Sequence, residues 1–167
     1  MEIENTYIIN QKTMAVLAAK HIDYYSIILE TDKQIYVHET PLHLIKKSCL
    51  FYWTSFEGVR KAVRAKTNYR QKIPIPININ QFMIAIPTHA IDSIDCSWIM
   101  QDHVRDCYGK ANAKEKVTDI SFFNRQSIRL PISIRTFRKQ LERAIEIRSH
   151  MAYDCGLEDW VYVDHLS

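Results

Sequence analysis

"YSIILETDKQIYVHE", residues 25–39, sets apolar and β-branched residues on either side of the polar tripeptide Thr31-Asp32-Lys33. That pattern predicts a β-hairpin with its tip at 31–33. The preceding stretch "TYIINQKTMAVLAA", residues 6–19, follows the same plan around Asn10-Gln11-Lys12, so two antiparallel hairpins are expected to open the fold. Thr40 followed by Pro41 is a helix start, an N-cap hydroxyl with proline at the first helical position. The segment "PLHLIKKS" is therefore expected to form a helix of about two turns.

Working outward, Thr54 or Ser55 can cap a second helix running to about Thr67. On a helical wheel Phe56, Val59, Ala62 and Val63 share one arc, and Arg60, Lys61 and Arg64 share the other. "QKIPIPININQFMIAIP", residues 71–87, cannot be a central strand through its prolines, although "QFMIAI" can. "CSWIMQDHVRDCY" (96–108) and "VTDISFFN" (117–124) are further strand candidates, and residues 121–133 read as a hairpin turning near Asn124-Arg125-Gln126. Ser133 caps a C-terminal helix whose apolar arc gathers Ile134, Phe137, Leu141, Ala144, Ile145 and Met151. The fold class expected is α+β: antiparallel strands and hairpins forming a sheet, two short central helices and an amphipathic C-terminal helix. A length of 167 residues suits one core, hence one domain, with an acidic tail over about 152–167.

Several function classes are disfavoured. Three glycines cannot build a phosphate loop or a dinucleotide fingerprint, so no nucleotide cofactor is expected; nothing orders one Cys-His pair over another and the scattered carboxylates read as surface charges, so no enzymatic activity is expected. Cys96, His103 and Cys107 fit no standard zinc spacing, and no metal is expected. The four cysteines form no CxxC pair, and MEIENTYIIN does not read as a secretory leader. A reduced, cytoplasmic protein with dispensable cysteines is expected. No apolar run reaches membrane-spanning length, so no membrane partner is expected. Trp53 and Trp98 are read as core residues.

The net charge of +3 is mild, but its distribution is uneven. "GVRKAVRAKTNYRQK", residues 58–72, carries Arg60, Lys61, Arg64, Lys66, Arg70 and Lys72, and no acid occurs from Gly58 until Asp92. A second acid-free stretch, Ile120 to Leu141, holds Arg125, Arg129, Arg135, Arg138 and Lys139. Glu142 and Glu146 offset the cations of the C-terminal helix, with Arg138 and Glu142 at i,i+4 spacing, so structural support is the role expected of it. Taken alone, the 58–72 island is either a phosphate-binding surface or a solvated helix face.

"PLHLIKKSC" with Phe51 and Gly58, "KIPI" at 72–75, "IPT" at 86–88, the C-x-W-I of 96–99, "HV" at 103–104 and the "LPIS" that begins at Leu130 occur in register. Together with the spacing of Pro41, Cys49, Lys72, Pro87, Pro131 and Phe137, these residues resemble the ComK-type competence transcription factors of Gram-positive bacteria. The resemblance implies a sequence-specific activator of DNA-uptake genes, with double-stranded DNA as partner. It would bind paired A/T-rich boxes through the minor groove as a homodimer or dimer of dimers. It also implies an adaptor that delivers the factor to a Clp protease. The candidates for DNA contact are Arg60, Arg64 and Arg70 for the groove or phosphates, Lys61, Lys66 and Lys72 for the backbone, and Arg125 at its hairpin tip for a neighbouring groove. The alternative is a protein-interaction regulator of the same fold with weak or no DNA binding.

Overall fold

The computed structural model describes residues 1–110 and 114–156. Among these residues ten strands form two sheets, and three helices pack on them. β1 (Ile3–Glu4), β2 (Thr13–Ala18), β3 (Ser26–Glu30), β4 (Gln34–Val37), β5 (Ile75–Asn78), β6 (Met83–Pro87) and β7 (Trp98–Met100) make a seven-stranded sheet in the order β1-β4-β3-β2-β7-β6-β5. β8 (Val104–Tyr108), β9 (Thr118–Phe122) and β10 (Ser127–Leu130) form a second sheet with β9 in the middle. Every pairing is antiparallel except that of β1 with β4. The α+β class read from the sequence is the class found.

The 25–39 hairpin forms as expected, closed by the Glu30 amide donating to the Lys33 carbonyl at 2.9 Å. The first predicted hairpin does not form. Only its second half becomes a strand, β2, while residues 5–10 run without ladder pairing. Side chains satisfy that segment instead. The Ile9 amide donates to Ser48 Oγ at 3.0 Å, the Tyr52 hydroxyl donates to the Ile9 carbonyl at 2.6 Å, and the Tyr7 hydroxyl donates to Glu30 at 2.5 Å. With the amide and carbonyl of Ile9 both met by side chains and Tyr7 anchored to a buried carboxylate, this stretch is held without a sheet partner.

α1 (Pro41–Phe51) begins where Thr40 and Pro41 predicted, with Thr40 Oγ1 accepting from the His43 amide, but runs three turns rather than two. α2 (Phe56–Lys66) is capped by Ser55, whose Oγ accepts from the Gly58 amide. A Cβ on Gly58 would stand 2.7 Å from that oxygen, so the cap requires glycine or a local shift. α3 (Ile134–Asp154) starts at the predicted Ser133 cap. β5, with Pro76, lies at a sheet edge, where a missing amide donor disrupts no central ladder. The predicted strand 96–108 is broken by a 3-10 turn at Gln101–His103, which sends β7 into one sheet and β8 into the other.

The core gathers Ile28, Leu44, Ile45, Ile84, Ile86, Trp98, Phe122 and Phe137, and Phe56 meets Trp98 edge-on at 6.5 Å between ring centroids. Two wheel assignments fail. Ala62 is exposed on α2, and Ile145 is 47% exposed on α3, where Gln140 and Ile147 are buried instead. Trp53 also departs from its expected core position. It is 97% exposed on the turn between α1 and α2, with φ at 65°. α1 ends one turn later than expected, which carries the chain out of the core before Trp53 is reached. Of the acidic tail, Asp154 belongs to α3 and pairs with Lys66 at 3.0 Å; residues 157–167 lie outside the described residues.

Candidate nucleic-acid interface

The two basic islands, far apart in sequence, meet in space. Arg70 and Lys72, from the segment that leaves α2, face Arg135, Lys139 and Arg143 of α3 across an open groove of about 570 Å³. Among the described residues, none of these five has a carboxylate within 4.0 Å of its charged nitrogens. Five cations without local compensation give the groove a positive field that a polyanion can meet.

Buried hydrogen bonds set the groove's shape. Gln140, only 3% exposed in the apolar stripe of α3, donates through Nε2 to the Lys72 carbonyl at 2.7 Å and to the Pro87 carbonyl at 3.1 Å. Its Oε1 accepts from Arg143 at 3.2 Å. Arg143 also donates to the Gln71 carbonyl at 3.2 Å and lies 4.6 Å from the ring centre of Tyr69. The Tyr69 hydroxyl donates to Glu146, and its pKa is pushed up to about 12, first by burial and then by that carboxylate. Lys72 itself adopts φ of 51°, and its carbonyl is one of the two acceptors of the Gln140 amide. The basic segment is thus fastened to α3 at Gln71, Lys72 and Tyr69.

The seven residues singled out in the sequence divide. Arg70 and Lys72 line the groove. Arg64 stands at its approach: Arg64 Nη2 donates to the Arg70 carbonyl at 3.3 Å, and Arg70 Nη1 donates to the Tyr69 carbonyl at 2.8 Å and to the Arg64 carbonyl at 3.4 Å. Both arginines complement the negative end of α2 in this arrangement. Arg60 is engaged by Glu57 at 3.4 Å, with its guanidinium 5.5 Å from the Phe56 ring centre. Lys66 points to the other flank of α2 and pairs with Asp154. Lys61 is exposed on the outer face of α2. Arg125 occupies the β9–β10 turn with φ of 73°, beside Asn124, whose Nδ2 donates to the Thr31 carbonyl at 3.1 Å. It does not line the groove.

Reading the sequence as separate helices missed Arg135, Lys139 and Arg143, because Glu142 and Glu146 lie on the same helix. Glu146 is drawn to Tyr69 and His150. The signal available was the acid-free stretch itself, since Arg135 and Lys139 precede Glu142, the first acid of α3, by seven and three residues.

Cys49, Cys96 and Cys107 are buried free thiols; burial pushes Cys49 up to about 12 and raises Cys96 as well. Among the described residues no three His, Cys, Asp or Glu side chains gather in a metal-binding arrangement, and no helix is long and apolar enough to cross a membrane.

Residues 4–154 match the family model described as ComK protein. The chain belongs to the ComK family. The competence transcription factor of Bacillus subtilis (strain 168) is 31% identical over 146 residues, which cover 86% of this chain and 74% of that protein. No solved structure matches the chain. The ComK match spans both basic islands and the Gln140 clamp that joins them.

Proposed function

We propose that this ComK-family protein is a DNA-binding activator of competence genes, and that the groove of Arg70, Lys72, Arg135, Lys139 and Arg143 is where it meets the DNA backbone. The observation that carries this reading is the convergence of Arg70 and Lys72 from one acid-free stretch with Arg135 and Lys139 from another, joined by Arg143, in one groove without carboxylate partners among the described residues. The name of the Bacillus subtilis relative supports it.

The target is A/T-rich duplex read through the minor groove. Base edges there distinguish A/T from G/C only coarsely, but A-tracts narrow the groove and deepen its negative potential. Arginine, planar and weakly hydrated, suits such a slot better than lysine. Arg70 and Arg135 take that role, with Lys72 and Lys139 on phosphates and Lys61 and Arg64 extending the contact along α2. The protein acts as a dimer or dimer of dimers on paired boxes, and a Clp-protease adaptor controls its level. Arg60, Lys66 and Arg125 are assigned smaller parts, the first two because carboxylates already hold them.

A mobility-shift titration on an A/T-box duplex and a G/C-rich duplex of equal length tests the reading. Tighter binding to the A/T duplex, lost when Arg70 and Lys139 are replaced by alanine, is the expected result. Equal and weak binding to both duplexes would overturn it.

A further inference from the structure

The turn joining α1 to α2 presents Leu50, Phe51 and Trp53 to solvent at 68, 59 and 97% exposure. A tryptophan this exposed is unusual, and its backbone makes it more so. Trp53 has φ of 65°, a conformation that glycine or asparagine adopts at lower cost than a bulky residue. The turn is firmly built: the Trp53 amide donates to the Leu50 carbonyl at 3.1 Å, the Thr54 amide to the Cys49 carbonyl at 3.0 Å, and the Tyr52 hydroxyl to the Ile9 carbonyl. A rigid turn thus holds out an indole that contributes nothing to the core and strains the backbone.

The charge around it points to the occupant. Residues 41–72, which hold both helices and the turn, contain eight cations and one carboxylate, Glu57; Arg60 engages it, Lys47 and Lys66 pair with Glu39 and Asp154, and Lys46, Lys61, Arg64, Arg70 and Lys72 have no carboxylate partner among the described residues. Lys46 and Arg60 both lie over the Phe56 ring, at 5.4 and 5.5 Å, next to the turn. A second copy seated on this patch about a two-fold axis would bring the same cations face to face. A nucleic acid supplies both missing complements, negative charge and flat π surfaces on which an aromatic can stack. α2, 11 residues long, spans about 16 Å between the turn and the basic groove, or about five base-pair rises.

Resting on the DNA-binding reading above, we propose that Trp53 is a wedge that inserts at an opened A/T step of the bound duplex and stacks on a base, with Leu50 and Phe51 covering the unstacked edge. The wedge makes binding depend on how easily a step opens, so it contributes to A/T preference at positions where no hydrogen bond is made.

The test uses the full chain, an A/T-box duplex carrying 2-aminopurine at one A/T step, and the variants Trp53→Gly, Trp53→Ala and Trp53→Phe. Wild type and Trp53→Phe are expected to raise the 2-aminopurine emission on binding. Trp53→Gly and Trp53→Ala are expected to bind about tenfold more weakly, without that rise. The salt dependence should be unchanged, because no cation is removed. Trp53→Gly should melt no lower than wild type, since it relieves the left-handed backbone, so weaker binding cannot be blamed on unfolding. If Trp53→Gly binds and unstacks the duplex like wild type, the wedge is overturned while the DNA-binding reading stands. If it changes the oligomer size but not DNA affinity, the patch is a protein interface and the wedge is overturned. If wild type binds no duplex, the DNA-binding reading fails and the wedge falls with it.

Discussion

Gln140 and Lys72 lie 68 residues apart, yet the buried side-chain amide of one donates to the main-chain carbonyl of the other at 2.7 Å. This bond, with its companion to Pro87, fixes the basic segment 70–72 against α3 and so fixes the groove. Glutamine is an odd tenant of an apolar helix stripe. Its burial is tolerable because both ends of the amide are engaged.

Gln140→Leu should therefore be costly in two ways. Removing the donor leaves the carbonyls of Lys72 and Pro87 short of a partner in a buried site, at a cost of about 2 kcal/mol. The segment carrying Arg70 and Lys72 should loosen, weakening DNA binding although no charge is removed. Urea unfolding and A/T-duplex titration on the same preparation check both effects. Full stability with full affinity would show that the Gln140 bonds do not hold the groove.

Groove cations should be visible in the salt dependence. If the five neutralise phosphates, log K should fall against log salt with a slope of about 4 to 5 in magnitude. The pair Arg70→Ala, Lys139→Ala should lower that magnitude by about 2, whereas Arg60→Ala with Lys66→Ala should change it little, since Glu57 and Asp154 already hold those side chains. Titrations over a range of salt concentrations decide between them. A larger loss from the second pair would move the interface onto the body of α2.

Much of this was legible in the sequence. Caps carried it: Thr40, Ser55 and Ser133 each start a helix where a hydroxyl precedes an apolar periodicity, because the rule depends only on local hydrogen bonding. The segment before β2 was misread because its partners, Ser48, Tyr52 and Glu30, are supplied by distant elements that no local pattern announces. Trp53 was placed in the core on residue type alone, which ignores where a helix ends. The candidate site was half legible: charge runs identify cations, but only the packing of α3 shows which of them share a groove.

Thiol labelling separates the cysteines. Cys155 is exposed, whereas Cys49, Cys96 and Cys107 are buried and the first two have raised pKa values. The thiolate is the reactive form, so the native protein should react with a thiol reagent rapidly at one site and at the other three only after denaturation. Peptide mapping should place the fast label on Cys155. Rapid native labelling at Cys49 would contradict its burial on the inner face of α1.

Cys49 also predicts how stability should change in alkali. Its thiol, ordinarily at 9.0, is pushed up to about 12 because burial penalises the thiolate. Between those values the unfolded chain loses the proton while the folded chain keeps it. The folded state binds more protons there, so stability must fall as pH rises through the window and is fully present below it. Tyr7, Tyr52 and Tyr69 act in the same direction above their ordinary value, all raised first by burial. The Cys49 share alone should lower unfolding free energy by about 2 kcal/mol between pH 8 and pH 10.5. Cys49→Ala should cost about 1 kcal/mol at pH 7 through lost packing, yet show a smaller alkaline loss than wild type. Urea titrations of both proteins at pH 7, 8 and 10.5 measure the difference, with circular dichroism as the probe. Parallel losses in the two proteins would show that the thiol is not the group that titrates, and would leave the tyrosines to account for the slope.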